Sequence, residues 1–281
     1  MSARVLPVKE MKAIDSLLPK TRKIEKIVMN YSPQMLALAL GPSNNLPNAW
    51  TSLLWAAHAC QAAHYHLYLA HHDRLYYSKY RRPPKLPESN MIASMFFTSF
   101  TLHAVAVENH LAVACLLSVG ETFPKNKNNT KNINFGTRYV IKVLKKKSRD
   151  LVKPLQQLTK NPSDWQWIRE YRERWFHLNP VRIKELGIQF RVSDDLQQFW
   201  RVDKKAGIRT LGFGGGDPSE IDVDTVLQRG IKGFKILTSS YAQIVQIMEA
   251  QARSQWQVDD PLNKLIKIKK PRKIRTPREL L

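Results

Sequence analysis

The chain has 281 residues, 43% of them hydrophobic, with 45 Lys and Arg against 23 Asp and Glu, a formal net charge of +22. That composition excludes a wholly disordered chain and points to a polyanionic partner, nucleic acid before an anionic membrane. Two cysteines without a CxxC pair exclude a disulfide framework and fit a reducing, cytoplasmic compartment.

The N-terminus lacks the apolar core of a signal peptide. Residues 1–45 read as a helical arm, with short helices over Lys20–Tyr31 and Pro33–Leu40 and the breakers Gly41, Pro42 and Ser43 after the second. The first long helix is expected from about Asn48, its cap, to about Arg82, before Pro83–Pro84. Its end, with Tyr76, Tyr77, Lys79, Tyr80, Arg81 and Arg82, suits either stacking on single-stranded nucleic acid or internal packing. Five of the eight histidines lie on this helix, but no Glu-x-x-His pair accompanies them, so no metal site or other cofactor is expected.

Ser89 is the candidate cap of a second long helix and Gly120 its candidate terminator. The apolar run Met91–Val119 is long enough to raise a membrane span. His103, Glu108, Asn109 and His110 interrupt it, so a central bundle helix without membrane contact is the expectation. Glu108 in such a run requires a partner; Arg172 and His177 are candidates, and an outward-facing position is the alternative.

Residues 125–134 read as a polar loop. A third helix is expected from near Gly136, kinked or restarted at Pro154. It is strongly cationic, and Lys146 and Lys147 are candidate phosphate contacts. A fourth helix follows, with Ser163 and Gln166 in capping-box spacing and a stop at Asn179–Pro180.

Alternation around Ile188, Phe190 and Val192 and the strand-like stretches Phe199–Val202 and Ile208–Phe213, with turns at Ser193–Asp195 and Asp203–Gly207, read as a small β-hairpin or meander inserted at 187–213. The glycine-rich stretch at 212–218 has neither a Walker lysine nor a dinucleotide spacing and reads as a connector. A last helix is expected over about Pro218–Gln257, with Gly230 and Gly233 as candidate breaks. The basic tail at 259–281 is expected to order only on a polyanion. The organisation is therefore an arm at 1–45, a mainly α bundle with a β-insert at 46–258, and the tail.

Chemistry concentrates in the fourth helix, where four residues separate Arg172 from His177. Arginine holds phosphate bidentately and stays charged, and histidine exchanges protons near neutral pH. Together they suit metal-free RNA cleavage, with proton transfer at the 2′-hydroxyl or leaving oxygen and charge stabilisation at phosphorus. Five helical positions set the two side chains about 140° apart, so convergence needs a frayed helix end or a second subunit. Spacing alone recurs by chance in a chain rich in both residues; placement carries the weight.

The segment IREYRERWFHLNP resembles the R-x4–6-H segment of HEPN domains, helical bundles that commonly dimerise and include many metal-independent ribonucleases. The likeness covers Arg172–Pro180 in residues and about 47–180 in architecture. It implies a HEPN-like homodimeric endoribonuclease acting on RNA, in toxin–antitoxin or antiviral defence and with an antitoxin or defence protein as partner. Arg172 and His177 would be catalytic, with Glu173 orienting where the family usually has Asn or Asp. Arg169, Arg174, Lys146 and Lys147 would hold phosphates. A non-catalytic HEPN-like module binding nucleic acid or protein is the alternative.

Overall fold

Two long helices almost without charge form the centre. From Leu46 to His72 the chain has no Asp, Glu, Lys or Arg, and from Ile92 to Ser118 it has only Glu108. Alanines and cysteines recur along both, and Ala56, Ala57, Cys60, Ala63, Ala104, Ala114 and Cys115 are wholly buried. Small side chains let two helices lie close along their whole length. In the computed structural model, which describes residues 5–41, 43–81, 86–122, 136–176 and 223–258, these helices form the longest packed pair.

The element order is α1 (Val8–Leu17), α2 (Arg22–Met29), α3 (Pro33–Leu40), α4 (Leu46–Leu75), α5 (Leu86–Ser118), α6 (Thr137–Lys147), α7 (Val152–Thr159), α8 (Asp164–Phe176) and α9 (Val223–Val258). A π-helical turn, Tyr76–Tyr80, extends α4, and a 3-10 turn, Arg149–Leu151, precedes α7. Among the described residues there is no strand, so the chain is mainly α. The expected β-hairpin at 187–213 and the basic tail lie outside the described residues.

Several boundaries differ from the sequence expectation. The arm contains a further helix, α1, whose only buried residue is Ile14. Helix α4 begins at Leu46, two residues before Asn48, because the Asn44 side chain accepts from the Leu46 N–H (2.9 Å) and Pro47 fits the first turn. Helix α5 begins at Leu86, so Ser89 lies inside it rather than capping it. Gly120 does terminate α5: at φ +74° its N–H donates to Leu117 O (2.9 Å) and the Glu121 N–H to Leu116 O (3.2 Å). That is a Schellman closure. The cationic helix breaks at Ser148, which is extended (φ −152°, ψ 93°), six residues before Pro154. Pro154 sits in the first turn of α7, where its missing N–H costs nothing.

Helix α9 crosses α4, α5 and α8. Its rings seat in the core, with Phe234 edge-on to Phe100 (centroids 5.4 Å) and Tyr241 fully buried. Gly230 and Gly233 do not break it. They form a notch instead. A Cβ on Gly230 would lie 2.4 Å from Phe97 Cε2, and one on Gly233 would lie 2.3 Å from Ile168 Cδ1 and 2.7 Å from the Asp164 carbonyl oxygen.

Helix α5 is the one described segment long and apolar enough to cross a membrane, over Ile92–Ser118 with mean hydropathy 1.5. More than half of that window (56%) is buried inside the bundle. The arm is pinned from below: Trp50 Nε1 donates to Val28 O (2.9 Å), and Tyr31 packs edge-on to Trp50.

The notch predicts the cost of a methyl group. Gly233→Ala gains about 1 kcal/mol of helix propensity. It meets a backbone carbonyl that cannot rotate away, an overpacking cost of about 1–3 kcal/mol. A lowered urea midpoint is expected; a raised one would show that α8 and α9 do not cross at this contact.

Candidate functional site

Helix α8 is set by its own start. Ser163 Oγ accepts from the Gln166 N–H (3.0 Å), and Ser163 O from the Trp167 N–H (3.0 Å). The Gln166 amide donates to Glu170 (3.1 Å), one turn on. Trp165, Ile168 and Tyr171 are fully buried against the bundle. Tyr171 packs edge-on to Phe97 of α5 (5.0 Å), and Arg229 of α9 lies over the Trp167 ring (5.3 Å).

Arg172 follows Ile168 by one turn, so it shares the packed side of α8. It is half-buried, with its Nε shielded from solvent. His177 and the side chains of Glu173 and Arg174 lie outside the described residues, as does the stop at Asn179–Pro180. The described backbone is helical through Phe176, the residue before His177.

Glu108 does need partners, and Arg172 is not among those it binds. Its carboxylate, 1% exposed, accepts from Trp165 Nε1 (3.0 Å) and, at a short contact, from the Thr137 hydroxyl; Arg169 Nε lies 3.3 Å away. The sequence expectation missed this because Arg169, not Arg172, lies one turn after Trp165 on the face toward α5. Burial raises the Glu108 pKa, while Arg169, Thr137 and Trp165 oppose the rise. Arg169, expected to hold phosphate, is thereby committed to a carboxylate.

Of the two lysines singled out on α6, Lys147 pairs with Glu121 (2.5 Å), whereas Lys146 is exposed and forms no ion pair among the described residues. At the aromatic and basic end of α4, Tyr77 alone among the described residues is buried, and several of its neighbours are engaged within the chain. Tyr77 is buried beneath Arg81 (5.2 Å from ring centroid to guanidinium), and Glu10 of α1 accepts from Tyr80 (2.7 Å) and Lys79 (3.3 Å).

The C-terminal end of α8 reaches the same bundle end as that turn. Phe97, which Tyr171 contacts, also borders Gly230, and nearer the start of α9 Arg74 of α4 chelates Asp224 (3.0 and 3.0 Å). This end holds a pair that sequence reasoning passed over: His72 Nδ1 lies 2.9 Å from Asp73 Oδ1, both buried. The adjacent His-Asp in the sequence was its only signal. Burial pulls neighbouring His71 down to about 4, leaving it neutral at pH 7.

Among the described residues no three His, Cys, Asp or Glu side chains converge. His66 and His103 stack in parallel (5.2 Å, 4°), and burial with the facing His103 lowers His66. Both cysteines are buried, and burial pushes their thiols up, away from the reactive thiolate. Comparison with protein-family models, with curated proteins and with solved structures found no match.

The Glu108 environment has a pH signature. A carboxyl whose folded pKa is raised contributes most below its unfolded value of about 4.3, and that contribution is lost as pH rises through the folded value. Gln at 108 does not titrate. The stability of wild type relative to Glu108→Gln is therefore expected to be greatest near pH 4 and to decline toward pH 7 in urea titrations. A difference independent of pH would refute the raised pKa.

Proposed function

We propose that the chain is a HEPN-like, metal-independent endoribonuclease that acts on RNA as a cytoplasmic homodimer, in toxin–antitoxin or antiviral defence alongside a partner protein. The observation that carries this reading is the position of Arg172. It stands half-buried on a capped, packed helix of a basic helical bundle, five residues before His177. A partly shielded guanidinium interacts more strongly with a phosphate than a fully solvated one.

Arg172 stabilises charge developing on the phosphorus oxygens. His177 moves the proton at the 2′-hydroxyl or the leaving oxygen, and Glu173 orients it. The roughly 140° between the two positions is closed by a turn of chain past Phe176 or by the second subunit.

Pairing of two copies is supported by the outer face of α4 and α5. Trp55 (59% exposed), Tyr65, Met95 and Leu102 stand on it, with no charged side chain from Leu46 to His72 and only the buried Glu108 from Ile92 to Ser118. Two molecules of charge +22 repel least where neither presents a cation. Glu173 in place of the usual Asn or Asp supports the second reading, a non-catalytic module that binds RNA.

Purified full-length chain is expected to cleave labelled RNA in EDTA. Arg172→Ala and His177→Ala are each expected to lower the rate by about 10²-fold or more. Unchanged cleavage after His177→Ala refutes the catalytic assignment; salt-sensitive binding without cleavage selects the second reading. In sedimentation, wild type is expected as a dimer and Leu102→Glu as a monomer. A dimeric Leu102→Glu chain would move the pairing surface elsewhere.

A further inference from the structure

Helix α6 has no acidic residue, and its apolar positions Val140, Ile141 and Leu144 are buried. Its cations are thereby forced outward. Arg138, Lys142 and Lys145 are exposed and follow at intervals of four and three residues, so they stand in one row. Neighbours at that spacing lie about 5–6 Å apart. Lys146 flanks the row, while Lys147 turns aside to Glu121.

The next cation in sequence borders a depression. Arg149, two residues beyond α6, lines an open groove of about 560 Å³ between the 3-10 turn and α9. Lys153, Gln243, Gln246, Ile247 and Asp150 line it as well. The groove combines two cations for phosphate, two carboxamides that can both donate to and accept from base edges, an apolar side chain for a sugar or base face, and a carboxylate able to accept from a ribose hydroxyl.

We infer that the α6 row and the α7–α9 groove form a track for single-stranded RNA, with phosphates along Arg138, Lys142, Lys145 and Arg149 and a nucleotide seated against Gln243 and Gln246. This rests on the proposed RNA substrate and adds where the strand runs. A membrane surface fits less well, because no exposed apolar side chain stands among the α6 cations to enter a lipid interface. A duplex fits less well because its base edges are already paired with each other and are not free to meet the carboxamides.

The test uses full-length chain and a fluorescein-labelled single-stranded oligoribonucleotide of about 15 nucleotides, with anisotropy read across a salt series. Each phosphate contact to a single strand contributes about 0.7 to the slope of log affinity against log salt. The triple variant Arg138→Glu, Lys142→Glu, Lys145→Glu is expected to bind at least about 30-fold more weakly, with the slope smaller by about 2. Gln243→Ala with Gln246→Ala is expected to leave the slope unchanged and to flatten the preference among oligomers of different base composition. Reversal of Lys9 and Lys12 on α1, compared per reversed charge, serves as a control elsewhere on the surface, and circular dichroism verifies folding of every variant.

An unchanged slope in the α6 triple variant overturns the track. So does an equal loss from the α1 control, which would mean diffuse attraction. Tighter, α6-dependent binding to phosphatidylserine vesicles than to RNA also overturns it, in favour of a membrane surface. Cleavage in EDTA is scored separately. Track-dependent binding without cleavage leaves this inference standing while the catalytic reading fails, and cleavage indifferent to the α6 charges does the reverse.

Discussion

A carboxylate cannot lie in the middle of a bundle without donors, and Glu108 is where this fold meets that demand. Two elements supply them: α6 through Thr137, and α8 through Trp165 and Arg169. Bonds of a buried acceptor are directional and costly to leave unmade. They therefore fix what apolar packing alone leaves loose, the rotation of α8 about its axis and the seat of the first turn of α6. Both elements that carry the proposed chemistry are referenced to one side chain of the central helix.

Helix α8 is held from its other side by absence of side chains. Gly230 and Gly233 bring α9 close enough for Phe97, Leu67, Ile168 and the Asp164 backbone to fill the space a Cβ would take. Close packing without voids confers rigidity as well as stability. Arg172 stands one turn past Ile168, so its position follows from the clasp on one face and the notch on the other. The helix thus offers a fixed arginine on the last turn before the chain leaves the described bundle.

Much of this was legible in the sequence, for identifiable reasons. The Pro33–Leu40 helix, the Gly120 terminator and the Ser163 cap were readable because local backbone chemistry decides them, and each appears with its expected geometry or hydrogen bond. The long apolar helices were readable from composition. What escaped was decided by other parts of the chain. Ser148, not Pro154, breaks the cationic helix because Leu151, Val152 and Leu155 must turn inward to be buried. Gly230 and Gly233 looked like breaks because intrinsic propensity says so, yet tertiary contact overrides a cost of about 1 kcal/mol each. Glu108 announced that it needed a partner, but choosing Arg169 over Arg172 required knowing which face of α8 meets α5. At the candidate site, Arg172 and its helix were legible; the shielding of the Arg172 Nε and the His72–Asp73 pair were not.

The distribution of charge joins these facts. A chain of +22 must keep its cations apart from one another or the compact state is strained by repulsion. Leaving α4 and α5 almost uncharged keeps charge out of the core, and part of the excess stands on the outer side of α6, whose buried residues are the uncharged Thr137, Val140, Ile141 and Leu144. One outward face is consequently neutral and aromatic while another is a row of unopposed cations. Two such faces on one body call for different kinds of partner. A neutral face with Trp55 and Leu102 gains by excluding water against another apolar surface. A cationic row gains by releasing counterions from a polyanion, and it loses that gain as salt rises. Association of two copies would bury the first and leave the second open, so dimerisation and RNA binding need not compete for the same surface.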